Sequence, residues 1–137
     1  MKVVPYLYFN GNAKEAIAFY AEAFKGAEVQ TMTYGDRPEM PESAENGDKI
    51  LHSMITVGSE VFYISDSLGE RETTQGSNIQ INLNCDSEDE INFIYEKLSQ
   101  SGAVIAPLAD TFWGARFGML KDKFGVFWSL NYQKTEH

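Results

Sequence analysis

A single cysteine, Cys85, stands among the 137 residues of this chain, which excludes an internal disulfide and agrees with a reducing compartment. Basic residues are scarce as well: eleven Lys and Arg against twenty Asp and Glu leave a formal charge of -9. Such a charge repels phosphate backbones and anionic lipid, so no nucleic-acid or membrane partner is expected. No apolar run approaches the roughly 20 residues of a spanning helix, and the opening "MKVVPYLYFNG" is too short and too aromatic for a signal peptide. The expected location is cytoplasmic. Histidine is nearly absent. Apart from the last residue, His137, only His52 is available for acid–base work near neutral pH. The chain also lacks the Gly-rich turn after a strand of a parallel α/β unit that nucleotide-type cofactors use, and no serine sits on a recognisable nucleophile elbow.

Apolar residues, by contrast, make up 43% of the chain and aromatics 13%, enough for one globular domain over 1–137 but not for two independent cores. Within it "NIQINLN", residues 78–84, alternates Ile79, Ile81 and Leu83 with Asn78, Gln80, Asn82 and Asn84. That period of two predicts a strand with one apolar face. Uncharged amides on the other face suit a concave, partly dry surface that must hydrogen-bond without burying charge. The following "CDSEDEINFIYEKLSQSGA" predicts a helix, with Asp86 and Ser87 as cap candidates, apolar Ile91, Ile94, Tyr95 and Leu98, and Gly102 at its close. The acidic run suits the positive end of the helix dipole.

The N-terminal "YLYFNGNAKEAIAFYAEAFKGA" repeats this design after a strand "VVPYLYF", with a cap near Asn12, apolar Ile17, Phe19, Tyr20 and Phe24, and a stop at Gly26. Ile17 and Phe19 precede Ile91 and Phe93 by one constant offset. Further on, Met54 with Val61, Phe62 and Tyr63 corresponds to Met119 with Val126, Phe127 and Trp128, the first half carrying a longer loop, "GDRPEMPESAENGD". The expected fold class is therefore α+β: two βαβββ modules, roughly 1–66 and 78–133, forming a cupped, half-open barrel-like mixed sheet. One helix for four strands covers only one face of each sheet. Val3, Leu7 and Phe9 are expected on the helix side with Ile79, Ile81 and Leu83, while Tyr6 and Tyr8 face away, across a cleft from the amides. Edges left by such sheets favour a homodimer.

The duplication, the "EAIAFY" helix and above all "DTFWGARFGMLKDKFGVFW", residues 110–128, resemble the PhnB-like branch of the glyoxalase and bleomycin-resistance superfamily, the vicinal oxygen chelate proteins. The resemblance covers nearly the whole chain. It implies four metal-ligand positions on the concave face in the enzymes of that superfamily, which fall here on Val4 or Pro5, at or next to Ile64, on Gln80 and on Ser129. None is a histidine or a carboxylate, and one amide with one hydroxyl does not hold a transition metal against water. Neither a metal nor a cofactor is expected. A methyltransferase label connected with ubiquinone synthesis, common in the branch, finds no support in these residues.

The candidate ligand-binding residues are Tyr6, Tyr8, His52, Gln80, Asn82, Trp113, Arg116 and Ser129. The turn "VGSE" decides the face of His52: a two-residue loop puts it with Tyr63, read as away from the cleft, and a three-residue loop puts it with Ile64. Its plainer role is structural. Arg116 needs an anion, either Asp110 or Asp122 within the chain or a ligand carboxylate or phosphonate. Trp113 and Phe112 form an aromatic wall or lid, or else pack in a core or a dimer contact. Trp128, Phe127, Phe62 and Tyr63 read as sheet core. Cys85, just before a helix, is a candidate for a lowered pKa, against an inert thiol. The function these features favour is binding of a small organic molecule without a metal. A metal-dependent lyase, isomerase or dioxygenase with atypical ligands including His52 is the alternative, and a structural dimeric module with a filled cleft is the third.

Overall fold

A computed structural model describes residues 1–69 and 71–134; His137 lies outside the described residues. The chain folds into two compact units, 1–74 and 75–137. In the first, β1 (Tyr6–Phe9) leads to α1 (Ala13–Ala23), then β2 (Glu28–Thr33), two 3-10 turns (Tyr34–Asp36 and Pro41–Ala44), β3 (Ile50–Val57) and β4 (Glu60–Asp66). In the second, β5 (Ile81–Asn84) leads to α2 (Glu88–Ser99), β6 (Ala103–Asp110), β7 (Ala115–Lys121) and β8 (Phe127–Gln133). The two sheets share one topology, β1-β4-β3-β2 and β5-β8-β7-β6, with the first pair parallel and the others antiparallel. Each unit is a βαβββ module, and the fold is α+β with two four-stranded mixed sheets.

Each helix lies on one face of its own sheet, and pairing register assigns the other face. In the first unit Phe62 packs against Tyr20 of α1 and Phe24 just after it, and Ile55, Ile64 and Phe9 are buried with it. Tyr6 pairs with Tyr63, and Met54 also pairs with Tyr63. Tyr6, Tyr8, Met54 and Tyr63 therefore share the helix-free face, because paired residues project to the same side. Two expectations shift here. The first strand begins at Tyr6, leaving Val3 91% exposed, and β5 begins at Ile81, leaving Ile79 78% exposed; neither joins the helix side. Trp128 does not share the face of Tyr63: Trp128 is buried on the helix side, whereas Tyr63 stands with Tyr6 on the helix-free side. A slip of one residue reverses every face, so Tyr63 and Phe127 belong to the opposite face and not to the core.

Each unit is tied internally by one buried carboxylate. Asp66 Oδ1 accepts from the backbone N–H of Gly11 and Ala13 at 3.0 Å, and Oδ2 from Ile50 N–H at 2.9 Å. Asn12, the residue before α1, makes no side-chain cap bond, so the helix start is satisfied from the far end of β4. In the second unit Asp122 accepts from Phe124 and Val126 N–H and from the Trp128 indole at 2.8 Å. At α2 the cap is local: Ser87 Oγ accepts from Glu90 N–H, and the Glu90 carboxylate accepts from Asp86 N–H.

Gly118 permits a close approach between α2 and the sheet of the second unit. A Cβ there would lie 2.7 Å from the Tyr95 ring and 3.1 Å from Leu108 Cα, and the Tyr95 hydroxyl passes on to donate to the Ala106 and Met119 carbonyls. Both carbonyls belong to the β6–β7 pair, close to the register shift at Ala106. Gly118→Ala is expected to lower stability by about 1–3 kcal/mol through overpacking, measured as a fall in the urea midpoint at unchanged slope.

Candidate functional site

On the helix-free face of the first unit the aromatics cluster. Tyr6 and Tyr8 alternate along β1 and stack with ring centroids 4.5 Å apart and planes 7° from parallel. His52 reaches this cluster from β3: its Nδ1 lies 2.9 Å from the Tyr6 hydroxyl, and its ring is tilted against Tyr63 at 5.0 Å. The strand pairing explains why. Val57 pairs with Glu60 across the two-residue turn Gly58–Ser59, so even-numbered positions of β3 share a face with Tyr63. The tyrosine face is the helix-free one, which corrects the reading that Tyr63 and its neighbours point away from it. Burial pushes the Tyr6 phenol above its ordinary pKa, with the nearby Tyr8 adding to the rise. Ser65, on the same face, donates to the Leu51 carbonyl at 2.9 Å.

The second unit's helix-free face is polar by amide and hydroxyl groups. Ser129 Oγ donates to Asn82 Oδ1 at 2.9 Å, and Asn82 Nδ2 donates to Asn84 Oδ1 at 2.9 Å. Asn131 pairs with Asn84 and with Phe117, and Met119 pairs with Ser129, so Phe117, Met119 and Asn131 join this surface. Asn131 was missed from the sequence, although "FWSLNYQ" alternates Ser129 and Asn131 with Trp128 and Leu130 in the same period of two. Gln80 is exposed immediately before β5, outside the paired strand.

Arg116 stands on the other side of this sheet. Its Nε donates to Asn92 of α2 at 2.8 Å and its Nη1 meets Asp110 at 3.3 Å. Asp110 also meets Lys134 at 3.1 Å, and Lys134 meets Glu88 at 3.2 Å. These bonds, with Lys134 foremost and Arg116 next, hold the Asp110 carboxyl below its usual range, while Asp110 and then Glu88 raise Lys134. Asp122, the other partner considered, is committed to Trp128. Arg116 therefore has a partner in Asp110 and does not share a surface with Asn82 and Ser129. Trp113, 43% exposed, and Phe112, 97% exposed, meet edge to face at the tip of the β6–β7 hairpin, away from the paired strands.

Among the described residues, those at the implied ligand positions are not transition-metal donors. Ile64 is fully buried toward α1, and its neighbours on the open face are a phenol, Tyr63, and a hydroxyl, Ser65. Among the described residues, no three His, Cys, Asp or Glu side chains form a group able to hold a metal ion. His52 is surrounded by tyrosines rather than by further imidazoles or carboxylates. Cys85 offers no thiolate: burial first, then Glu90 and Asp86, push its thiol up to about 12, reversing the expected effect of the helix start. A raised pKa keeps the thiol protonated at pH 8. Iodoacetamide should therefore label native protein at least about tenfold more slowly than urea-unfolded chain, whose thiol titrates near pH 8.5; comparable rates would contradict this. At the turns entering the helices, Asp66 takes the N–H groups of Gly11 and Ala13, and Ser87 takes that of Glu90.

The architecture is that of the glyoxalase-like proteins. A glyoxalase/bleomycin resistance protein/dioxygenase family enzyme from Burkholderia phytofirmans PsJN matches it with a TM-score of 0.61 at 13% identity, over 93% of this chain and 94% of that one. Protein PA1353 from Pseudomonas aeruginosa matches with a TM-score of 0.86 at 36% identity, over 98% and 99%. A putative 3-demethylubiquinone-9 3-methyltransferase, PhnB protein, from Bacillus cereus matches with a TM-score of 0.75 at 29% identity, over 96% and 99%. Residues 1–131 match the family described as 3-demethylubiquinone-9 3-methyltransferase. The chain belongs to this PhnB-like family.

Proposed function

We propose that this protein binds a small organic molecule on the helix-free faces of its sheets, without a catalytic metal, to sequester or deliver it. The observation that carries this reading is the partly exposed Tyr6–Tyr8 stack joined to His52. Flat aromatic surface with a few polar groups and no fixed charge is the usual lining of a site for such molecules. The methyltransferase activity in the family's description draws no support from the sequence, which lacks the Gly-rich turn after a strand that nucleotide-type cofactors use. The metal-dependent alternative finds no donor set among the described residues.

Thermal-shift screening of a metabolite library tests the reading. A ligand bound at 100 times its Kd stabilises by about 2.7 kcal/mol, which is a clear rise in Tm, whereas Zn, Ni, Mn and Fe are expected to leave Tm unchanged. A specific rise with one metal, supported by elemental analysis of untagged protein, would favour the enzyme instead. We also propose a homodimer. The edge strands β2 and β6 carry exposed Val29, Val104 and Ile105, and unpaired edges of this kind are commonly covered by a second copy. Light scattering should give twice 15.4 kDa; the single-chain mass would contradict the dimer.

A further inference from the structure

We propose that the helix-free face of the first unit takes a planar aromatic molecule bearing a hydrogen-bond acceptor, stacked on the Tyr6–Tyr8 pair and oriented by the ring N–H of His52. This inference rests on the small-molecule reading above and names its ligand class.

Ring geometry selects flat over spherical guests. Tyr6 and Tyr8 lie 4.5 Å apart at 7° and remain 38% and 46% exposed. Two rings already in parallel contact are best extended by a third flat ring. With a formal charge of -9, a tyrosine-rich surface first suggests a quaternary ammonium. A cation cage, however, turns several ring faces around one small volume. Here Tyr6 and Tyr8 spend a face on each other, and Tyr63 meets Tyr6 at 73°, edge on.

Hydrogen bonding selects the acceptor. The Tyr6 hydroxyl lies 2.9 Å from His52 Nδ1; in the arrangement we propose, the phenol donates and Nδ1 accepts. In the neutral ring the remaining proton then sits on Nε2. His52 thus presents a donor and no acceptor. Positions around it, Met32 paired across from β2, Met54, Tyr63 and Ser65, carry no charge, and Ser65 donates to Leu51 and Asp66 carbonyls. A carbonyl or similar oxygen on a flat ring satisfies His52 without needing a counter-ion.

The test uses EDTA-treated full-length chain at pH 8 and three probes: 2-acetylnaphthalene, its decahydro analogue, and phenyltrimethylammonium. Affinities are read from protein NMR shifts, and the His52 tautomer from its ring nitrogens. The flat ketone is expected to perturb Tyr6, Tyr8 and His52 and to bind at least tenfold tighter than the other two probes. Tyr8→Leu and His52→Phe should each weaken it tenfold or more. His52 should be the Nε2–H tautomer and lose that preference in Tyr6→Phe. Equal affinity for the decahydro ketone, tighter binding of the ammonium, or an Nδ1–H tautomer would overturn the proposal. If His52→Phe does not fold, the wild-type tautomer and Tyr8→Leu decide it. Failure of all probes on this face alongside a library ligand bound elsewhere overturns this inference alone; failure of both screens removes the parent reading too.

Discussion

Asp66→Ala is expected to lower the unfolding free energy by about 3–5 kcal/mol, the range for stripping a buried charged group from its partners. The carboxylate is 1% exposed and gathers N–H groups from the β1–α1 turn, the first turn of α1 and the first residue of β3. Alanine leaves those three N–H donors without their acceptor. Asp66→Asn keeps one oxygen, but its amide N–H₂ must then face a backbone N–H, so an intermediate loss is expected. Urea unfolding checks the order, wild type above Asn above Ala. A loss below about 1 kcal/mol for the alanine variant would mean that water or a shifted backbone replaces the carboxylate.

Asp122→Ala is expected to cost about 2–4 kcal/mol by the same physics in the second unit. Here one oxygen serves Phe124 and Val126 N–H and the other serves the indole of Trp128, which is 1% exposed. The indole gives a local readout that global stability does not. Its N–H proton should exchange slowly in the wild type and markedly faster in Asp122→Ala. In Asp122→Asn the backbone bonds can persist while the indole meets an N–H₂ group, so exchange should rise before the urea midpoint falls far. Unchanged exchange in both variants would refute the assigned bond.

What sequence made legible was periodicity. Alternation in "INLN" and in "YLYF" assigned Asn82, Asn84, Tyr6 and Tyr8 to helix-free faces, and the helical spacing of Ile17, Tyr20, Ile91 and Leu98 assigned the buried stripes. Register was not legible, because it depends on turn length. The two-residue turn at Gly58–Ser59 sets Tyr63 and His52 beside Tyr6, whereas the turn at 122–126 sets Trp128 inside. The pairing of Arg116 with Asp110 was within reach, since the two stand opposite each other in one hairpin. The bonds of Asp66 were not: its partner Ala13 is 53 residues away, and backbone N–H groups leave no mark on a sequence. Cys85 follows the inert-thiol reading: burial and two adjacent carboxylates outweigh the nearby helix start.

Calorimetric titration of the metal-stripped protein with the best ligand from the library screen, repeated after addition of Zn, Ni, Mn or Fe, bears most directly on the proposed role. One ligand per chain with the same Kd in every titration is the expected result. Binding that emerges only when a metal is present would contradict it.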